Sequence, residues 1–300
     1  INFKLHDFGA RGVSSMESAG VGGAAHLVNF MGSDTITGVL YAREYYNAGI
    51  AGFSIPAAEH STITSWGRDG EVDAYRNMLK NFATPGSIVA VVSDSYDIFN
   101  AASKLWGEEL RQEVIDSGAT VVIRPDSGDP DVVCRKLVEI LGQKFGYTTN
   151  DKGYKVLNNV RLIQGDGVNE HTIRMILGGF QAYGWSADNI AFGMGGALLQ
   201  QLDRDTQKFA MKCSNVTVDG EDRDVVKDPI TDPGKKSKAG RVQLWKSGGE
   251  WVTAVKQPTS WTDKGFGPFT PIVPMLEEVY RDGKLVKEIT FEQVRANAKA

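Results

Sequence analysis

The 300-residue sequence has few of the features that mark secreted, membrane or nucleic-acid-binding proteins. Its two cysteines, Cys134 and Cys213, lie far apart, so they predict neither a disulfide framework nor a zinc site. Acidic residues outnumber lysines and arginines, 37 to 33, which leaves no basic excess to attract nucleic acid. No apolar run approaches the ~20 residues of a membrane-spanning helix, and the opening INFKLHDFGARG does not resemble a signal peptide. We therefore expect a globular protein of the reducing cytoplasm.

Seven short apolar runs do recur, and each ends in glycine or in polar residues. Helical patterns such as PDVVCRKLVEILGQKF separate most of these runs. A strand followed by a helix roughly every 30 residues is typical of parallel βα units. Polar ends on every strand favour an irregular α/β barrel, whose active site lies at the carboxyl ends of its strands. A doubly wound open sheet, which binds ligands near its switch point, is the alternative.

The pattern changes near residue 209. Segments such as GRVQLWKSGGEWVTAV alternate with period two around glycine-rich turns, which is typical of antiparallel hairpins. We predict a catalytic α/β barrel over residues 1–208 and a smaller β-rich region with a C-terminal helix over residues 209–300. The chain opens at Ile1 almost directly in strand-like sequence, and we expect an N-terminal part of the full protein to be missing.

The run TVVIRPDSGD places a cation and a carboxylate together at one strand end. Arg124 precedes a proline, which keeps its backbone extended, and its guanidinium suits a phosphate or pyrophosphate. Asp126 follows two residues later and can bind Mg²⁺, sugar hydroxyls or a developing positive charge. A purely structural Arg–Asp pair at the start of a loop is the alternative.

Glycine-rich turns end two further strands, QGDG with Gly165, Asp166 and Gly167, and GMGG with Gly193, Gly195 and Gly196. Such turns point backbone N–H groups at phosphates, although each alone is equally typical of a plain tight turn, and neither matches a P-loop or dinucleotide fingerprint. His60 follows another strand end, where a structural role competes with base, phosphate-binding or nucleophilic roles. None of the seven runs ends in lysine, which argues against Schiff-base chemistry.

Taken in order, the motifs resemble those of the nicotinamide phosphoribosyltransferases. The similarity covers KLHDFGARGVSS, HLVNFMGSDT, IPAAEHSTITSWG, VVSDSYDI, IRPDSGDP, IQGDGV, AFGMGGALLQ and KDPITDPGKKSKAGR, and so nearly the whole chain, as the C-terminal part of a longer protein. The resemblance implies a type II phosphoribosyltransferase, a homodimer with shared active sites. It would transfer phosphoribosyl from phosphoribosyl pyrophosphate to nicotinamide, giving nicotinamide mononucleotide and pyrophosphate in NAD salvage. Mg²⁺ and ATP, as a coupled co-substrate, are implied as well.

The resemblance also implies roles for single residues near the pyridine and the reaction centre. Phe8 would stack on the pyridine ring, and Arg11 would contact the amide oxygen and a phosphate. Asp34 would accept a hydrogen bond from the carboxamide. His60 would be phosphorylated by ATP, and Asp94 would organise Mg²⁺ and pyrophosphate.

The remaining implied contacts go to the ribose and its phosphates. Two of these residues, Arg124 and Asp126, would also act with His60 in catalysis. The implied set is Arg124, Asp126, Gly165, Asp166, Gly195, Gly196, Arg204 and Lys212, the last two reaching a phosphate across the dimer.

Asp34 bears on whether the substrate is nicotinamide or the related acid, nicotinate. A carboxylate accepts a hydrogen bond from nicotinamide but repels the carboxylate of nicotinate, so its presence favours nicotinamide. Its alternative role is the N-cap of the following helix. Nicotinate phosphoribosyltransferase, a non-catalytic or signalling homologue, and an unrelated barrel enzyme acting on sugar phosphates remain the other hypotheses.

Overall fold

The computed structural model describes residues 1–203, 205, 210–231, 233–247, 249–255 and 273–299. The chain forms two compact units, Ile1–Leu202 with Ile289–Ala300, and Asp203–Glu288. Within the described residues, no helix combines the length and the apolar character needed to cross a bilayer.

The first unit contains a parallel sheet with the strand order β2-β1-β8-β7-β4-β3. Its strands are β1 (Leu5–Asp7), β2 (Gly32–Ser33), β3 (Ile88–Val92), β4 (Thr120–Arg124), β7 (Val160–Gln164) and β8 (Ile190–Met194), while β5 (Tyr147–Thr149) and β6 (Lys155–Leu157) form a separate antiparallel hairpin.

Residues 53–57 join the two edges of this sheet. Phe53 bridges to Gly32 of β2, and Ala57 bridges to Ala90 of β3, both in parallel orientation. The Ser33 N–H donates to the Phe53 carbonyl at 2.9 Å, and the Ala90 N–H donates to the Pro56 carbonyl at 2.9 Å. The seven predicted strand positions thus run in chain order around an irregular α/β barrel, which confirms the predicted fold.

The barrel strands are buried because helices cover them outside and side chains fill them inside. Val89 to Val92 of β3 and Val121 to Ile123 of β4 are buried on both faces, as is usual for parallel sheets. Small and medium side chains fill the interior, namely Ala90, Val122 and Ile163, with Phe8, Ile55 and Ala191 partly buried against them. The larger core lies between the strands and the helices.

The helices follow the strands as βα units require. They are α1 (Met16–Asn29), α2 (Ile36–Tyr46), α3 (His60–Thr64), α4 (Glu71–Phe82), α5 (Ile98–Asn100), α6 (Arg111–Ser117), α7 (Pro130–Phe145), α8 (Glu170–Ala182), α9 (Gly196–Leu199) and α10 (Phe291–Asn297), with a π-helix at Ala101–Glu109. Helix α7 shows how local sequence determines where a helix begins. The Asp129 carboxylate accepts hydrogen bonds from the N–H groups of Asp131 and Val132, and Pro130 occupies the first helical position.

The second unit is built from antiparallel pairs. Its strands are β9 (Asn215–Val218), β10 (Glu221–Asp224), β11 (Gln243–Ser247), β12 (Glu250–Ala254), β13 (Val273–Pro274), β14 (Tyr280–Arg281) and β15 (Lys284–Leu285). Asp219–Gly220 and Asp282–Gly283 have positive φ at both residues, the geometry that suits two-residue hairpin turns. The predicted hairpins are therefore present.

Helix α10 packs with the barrel unit, whereas the sequence grouped it with the hairpins that precede it. Phe291 is 1% exposed in a cluster with Leu27 and Ala51. The Arg295 guanidinium donates to the carbonyls of Leu27 and Ala51 at 2.9 and 2.8 Å. Burial of one aromatic ring and two hydrogen bonds to backbone carbonyls hold the helix there.

Candidate active site

A cavity of about 520 Å³ opens at the carboxyl ends of the barrel strands. It is lined by residues after β1, β2, β4, β7 and β8 and after the segment 53–57. Nine of the predicted site residues lie on its wall, namely Phe8, Arg11, Asp34, Arg124, Asp126, Gly165, Asp166, Gly195 and Gly196. Since these side chains come from distant parts of the chain, the barrel is what gathers them.

His60 and Asp94 lie beside this cavity and are joined to it through Asp126. His60 Nε2 lies 2.9 Å from Asp94 Oδ1, and His60 Nδ1 lies 3.9 Å from Asp126 Oδ2. The other Asp94 oxygen accepts hydrogen bonds from the Asp126 N–H at 3.1 Å and from the Ser127 hydroxyl at 2.5 Å. Asp94 is 5% exposed and His60 is 41% exposed. Asp94 therefore fixes both the imidazole and the loop that carries Asp126.

This arrangement sets the direction of the imidazole. An ionised carboxylate only accepts hydrogen bonds, so the hydrogen of a neutral His60 is assigned to Nε2. The lone pair then lies on Nδ1, on the side of Asp126. Helix α3 begins at His60, and the Thr62 hydroxyl accepts a hydrogen bond from the Glu59 N–H at 3.2 Å, which secures the start of the helix.

Arg124 and Asp126 form an ion pair, as the structural alternative in the sequence analysis expected. Both residues also line the cavity. Arg124 Nη2 lies 3.4 Å from Asp126 Oδ2 and 4.0 Å from Glu59 Oε2. Arg124 Nε is buried and has no hydrogen-bond partner among the described residues. At 3.4 Å the pair is long for a charge-assisted hydrogen bond, so the guanidinium keeps donor capacity for a ligand.

Phe8 reaches the cavity because Gly193 makes room for its ring. A Cβ atom on Gly193 would lie 1.9 Å from Phe8 Cε2. A Cβ atom on Gly165 would be in ordinary contact with the same ring atom, at 3.4 Å, and would instead crowd Asp126 Oδ1 at 2.9 Å. The sequence grouped Gly193 with the phosphate-binding turn, but Gly193 lies within β8 and accommodates the aromatic ring. Gly196, by contrast, faces open space, as a backbone that approaches a ligand requires.

Two glycine-containing loops contribute residues to the cavity wall. Gly165 to Gly167 lead into α8, which is capped by the Asn169 side chain accepting from the Thr172 N–H at 3.0 Å. Gly195 leads into the short helix α9. Glycines in these turns let successive N–H groups converge on an anion.

Asp34 lies between β2 and α2 with its carboxylate in the cavity. Its Oδ1 accepts hydrogen bonds from the Ser54 hydroxyl at 2.5 Å and from His6 Nε2 at 3.1 Å. Burial raises the pKa of Asp34, but the hydrogen bonds from His6 and Ser54 and the charge of Arg124 outweigh burial, so the pKa lies below its ordinary value. The N-cap of α2 is Thr35, so the alternative role of Asp34 as that N-cap is wrong.

The last two predicted residues, Arg204 and Lys212, belong to the second unit. Arg204 lies outside the described residues, and Lys212 is an exposed residue of the second unit. The sequence also missed contributors to the site. Glu59, Thr35 and Asn169 also line the cavity. Glu59 could have been found from the sequence, because it directly precedes His60 in the run IPAAEHST.

Comparison with known proteins agrees with the motifs. The model of the nicotinate phosphoribosyltransferase (NAPRTase) family matches residues 3–268. A nicotinamide phosphoribosyltransferase of Xanthomonas campestris pv. campestris is 59% identical over 99% of this chain and 63% of its own length. Relatives of the same name are 33% identical in Acinetobacter baylyi (97% of this chain, 60% of theirs) and 35% identical in Mycoplasma pneumoniae (80% and 53%). The chain thus spans less than two thirds of the curated relatives, and it belongs to the nicotinate phosphoribosyltransferase family.

Proposed function

We propose that the whole protein is a nicotinamide phosphoribosyltransferase, a pentosyltransferase of NAD salvage. Its substrates would be nicotinamide and phosphoribosyl pyrophosphate, and its products nicotinamide mononucleotide and pyrophosphate. The observation that carries the proposal is one cavity that combines an aromatic ring, an anionic hydrogen-bond acceptor, two arginines and two glycine-rich turns. The names of the relatives support the same reaction.

The anionic part of the substrate fits one side of the cavity. Arg124, Arg11 and the N–H groups around Gly165 and Gly195 offer charge and hydrogen bonds to phosphates. The heterocycle fits the other side, where Phe8 provides a stacking face and Asp34 accepts from a carboxamide N–H. A nicotinate carboxylate in that position would face the negative charge of Asp34.

The chemical step breaks the bond between ribose C1 and pyrophosphate and forms a bond from C1 to the pyridine nitrogen. The electron pair of the broken bond leaves with pyrophosphate, and positive charge develops on the ribose. Asp126, which is 22% exposed and lines the cavity, would stabilise that positive charge. Arg124 would stabilise the negative charge on the leaving group.

The proposal includes phosphorylation of His60 by ATP. Because Asp94 occupies Nε2, Nδ1 is the nitrogen with the free lone pair. Nδ1 would attack the terminal phosphorus of ATP, and ADP would leave with the electron pair of the broken P–O bond. Asp94 would hold the imidazole ring in place while Nδ1 attacks the phosphorus and while ADP leaves.

The carboxylates of the site fit Mg²⁺ only in part. Among the described residues no group of three or more histidine, cysteine, aspartate or glutamate side chains forms a metal site. Both oxygens of Asp94 are already engaged, so Asp94 is a poor ligand in this arrangement. Asp126 and Asp166 line the cavity and have the oxygen chemistry that Mg²⁺ prefers. When bound, Mg²⁺ would neutralise charge on the pyrophosphate.

A homodimer with shared active sites and a cytoplasmic location belong to the same proposal. Lys212 and Arg204 of one subunit would then contact a phosphate bound in the active site of the other subunit.

Turnover with competing substrates tests the reaction. The complete protein, given phosphoribosyl pyrophosphate with equal nicotinamide and nicotinate, should form mainly nicotinamide mononucleotide, measured by chromatography. Asp126→Asn should lower kcat by about a hundredfold, because stabilisation of the developing charge is lost. Asp151→Asn, at an exposed hairpin turn, is the matched control and should keep full activity. Preference for nicotinate would identify the sister activity, and absence of any product would favour a non-catalytic homologue.

Intact-mass measurement tests the role of His60. Incubation with ATP should add one phosphoryl group to the wild-type protein and none to His60→Ala, and the acid-labile adduct should vanish at low pH. ATP should stimulate product formation only in the wild type. Unchanged stimulation in His60→Ala would contradict the phosphohistidine.

A further inference from the structure

The Asp34 carboxylate is held by donors from two other strand positions of the barrel. His6 of β1 approaches its Oδ1 through Nε2 at 3.1 Å, and Ser54 of the closing segment donates its hydroxyl to the same oxygen at 2.5 Å. Three elements therefore meet at one carboxylate oxygen. Neither His6 nor Ser54 lines the cavity.

The two carboxylate oxygens consequently have different roles. Asp34 is ionised near neutral pH and only accepts hydrogen bonds, so both His6 Nε2 and Ser54 Oγ act as donors to Oδ1. Within residues 1–203, Oδ2 of Asp34 accepts no hydrogen bond. The Asp34 side chain is 50% exposed. One oxygen is anchored, and the other remains for a ligand.

The position of the His6 ring depends on Gly32. A Cβ atom at residue 32 would lie 2.6 Å from His6 Nδ1 and 3.2 Å from His6 Cγ. The ring also lies 5.2 Å from the Phe8 ring, measured between centroids. His6 is thus close to both the glycine of β2 and the proposed stacking residue, and 13% of its side chain is exposed.

We propose that His6 and Ser54 are positioning residues which, by anchoring Asp34 Oδ1, set the preference for a neutral pyridine carboxamide over the corresponding carboxylate. This inference rests on the proposed function. An anchored Asp34 presents Oδ2 in a fixed direction, so it gains a short hydrogen bond from an amide N–H and repels an anionic group in the same place. A released Asp34 can turn toward water, and both effects then weaken.

Selectivity measurements in the complete protein test the inference. Ser54→Ala and His6→Phe should each lower kcat/KM for nicotinamide by about tenfold, the effect of one charge-assisted hydrogen bond. The loss should appear mainly in the KM for nicotinamide. kcat/KM for nicotinate should stay constant or rise, and the KM for phosphoribosyl pyrophosphate should stay constant.

Four further variants separate positioning from general structural damage. Ser54→Thr and His6→Gln retain a donor and should recover most of the selectivity. Gly32→Ala keeps His6 but displaces its ring, so it should reproduce the loss seen with His6→Phe. His171→Gln changes an exposed histidine of α8 and should leave the selectivity unchanged.

The outcomes distinguish this inference from the proposed function. If the wild type shows no preference for nicotinamide, the proposed function itself is wrong. If the wild type prefers nicotinamide and Ser54→Ala, His6→Phe and Gly32→Ala all keep its selectivity ratio, only the positioning role is wrong. Equal losses for both bases would assign His6 and Ser54 a structural role and would also overturn the inference.

Discussion

The ring of Phe8 occupies space that exists only because residue 193 has no side chain. Any Cβ there would overlap the ring, with a separation of 1.9 Å from Cε2. The ring in turn contributes to the wall where we place the pyridine. A single glycine inside a strand therefore controls an aromatic contact in the cavity.

Gly193→Ala should displace Phe8 and raise the KM for nicotinamide by about tenfold, the value of one aromatic stacking contact. The KM for phosphoribosyl pyrophosphate should change much less. Gly178→Ala is the matched control, because Gly178 lies in α8 with nothing within 4 Å of its added Cβ, and it should leave both constants unchanged. Steady-state kinetics with each substrate varied in turn decide the matter. An unchanged KM for nicotinamide in Gly193→Ala would show that Phe8 does not contact the base.

At this scale the sequence predicted which residues carry charge at the strand ends but not which atoms they contact. Asp34 could be foreseen as a helix cap or a ligand contact, but its bonds to His6 and Ser54 could not. Those bonds depend on strand register across three positions of the barrel. Register is set by packing of the whole sheet, which a local motif does not contain.

Among the elements, most strand positions were predictable because each is an apolar run with a polar end. The second position differs, since β2 contains only Gly32–Ser33 and the apolar residues before it end helix α1 at Asn29. The closing segment 53–57 forms only isolated bridges, since Pro56 has no N–H to donate. The π-helix at Ala101–Glu109 and the hairpin of β5 and β6 were not predicted. Both depend on packing against neighbouring elements rather than on local periodicity. The sequence also grouped α10 with the hairpins, whereas this helix belongs to the unit that contains the barrel.

Helix α1 is joined to β2 by a buried histidine, and this contact should depend on pH. His26 lies 2.9 Å from the Gly32 carbonyl through Nε2, so Nε2 donates, and Nδ1 is buried without a hydrogen-bond partner among the described residues. Burial lowers the pKa of His26 below its ordinary 6.5, against the raising effects of the Gly32 carbonyl and Asp7. A second proton on the ring is therefore bound more readily in the unfolded chain than in the folded one.

The free energy of unfolding should accordingly fall as the pH drops below 6.5, by up to about 1.4 kcal/mol for each unit of pKa shift. His26→Gln retains a donor but does not titrate, so its stability should lack this component between pH 6.5 and the lower pKa of the folded state. His171→Gln should keep the wild-type dependence. Urea unfolding at a series of pH values measures the difference. Parallel curves for wild type and His26→Gln would contradict a buried neutral histidine.

At the scale of the whole molecule, the barrel brings side chains that are far apart in sequence to one cavity. Phe8 and Gly196 are almost at opposite ends of the first unit in sequence, yet both line one cavity. Fold class and this gathering were predictable from repeated βα units, because their strand ends must share a rim. The phosphate contacts of Arg204 and Lys212 stay predictions, since Arg204 lies outside the described residues and Lys212 belongs to the second unit.

A crystal structure of the complete protein with nicotinamide mononucleotide tests the central claim most directly. The pyridine ring should stack on Phe8 with its carboxamide N–H within hydrogen-bonding distance of Asp34 Oδ2. The phosphate should lie among the N–H groups of the turns at Gly165 and Gly195, near Arg124. Nucleotide bound elsewhere, for instance in the separate cavity beside Tyr154 and Gln181, with the strand-end rim left vacant, would contradict the account.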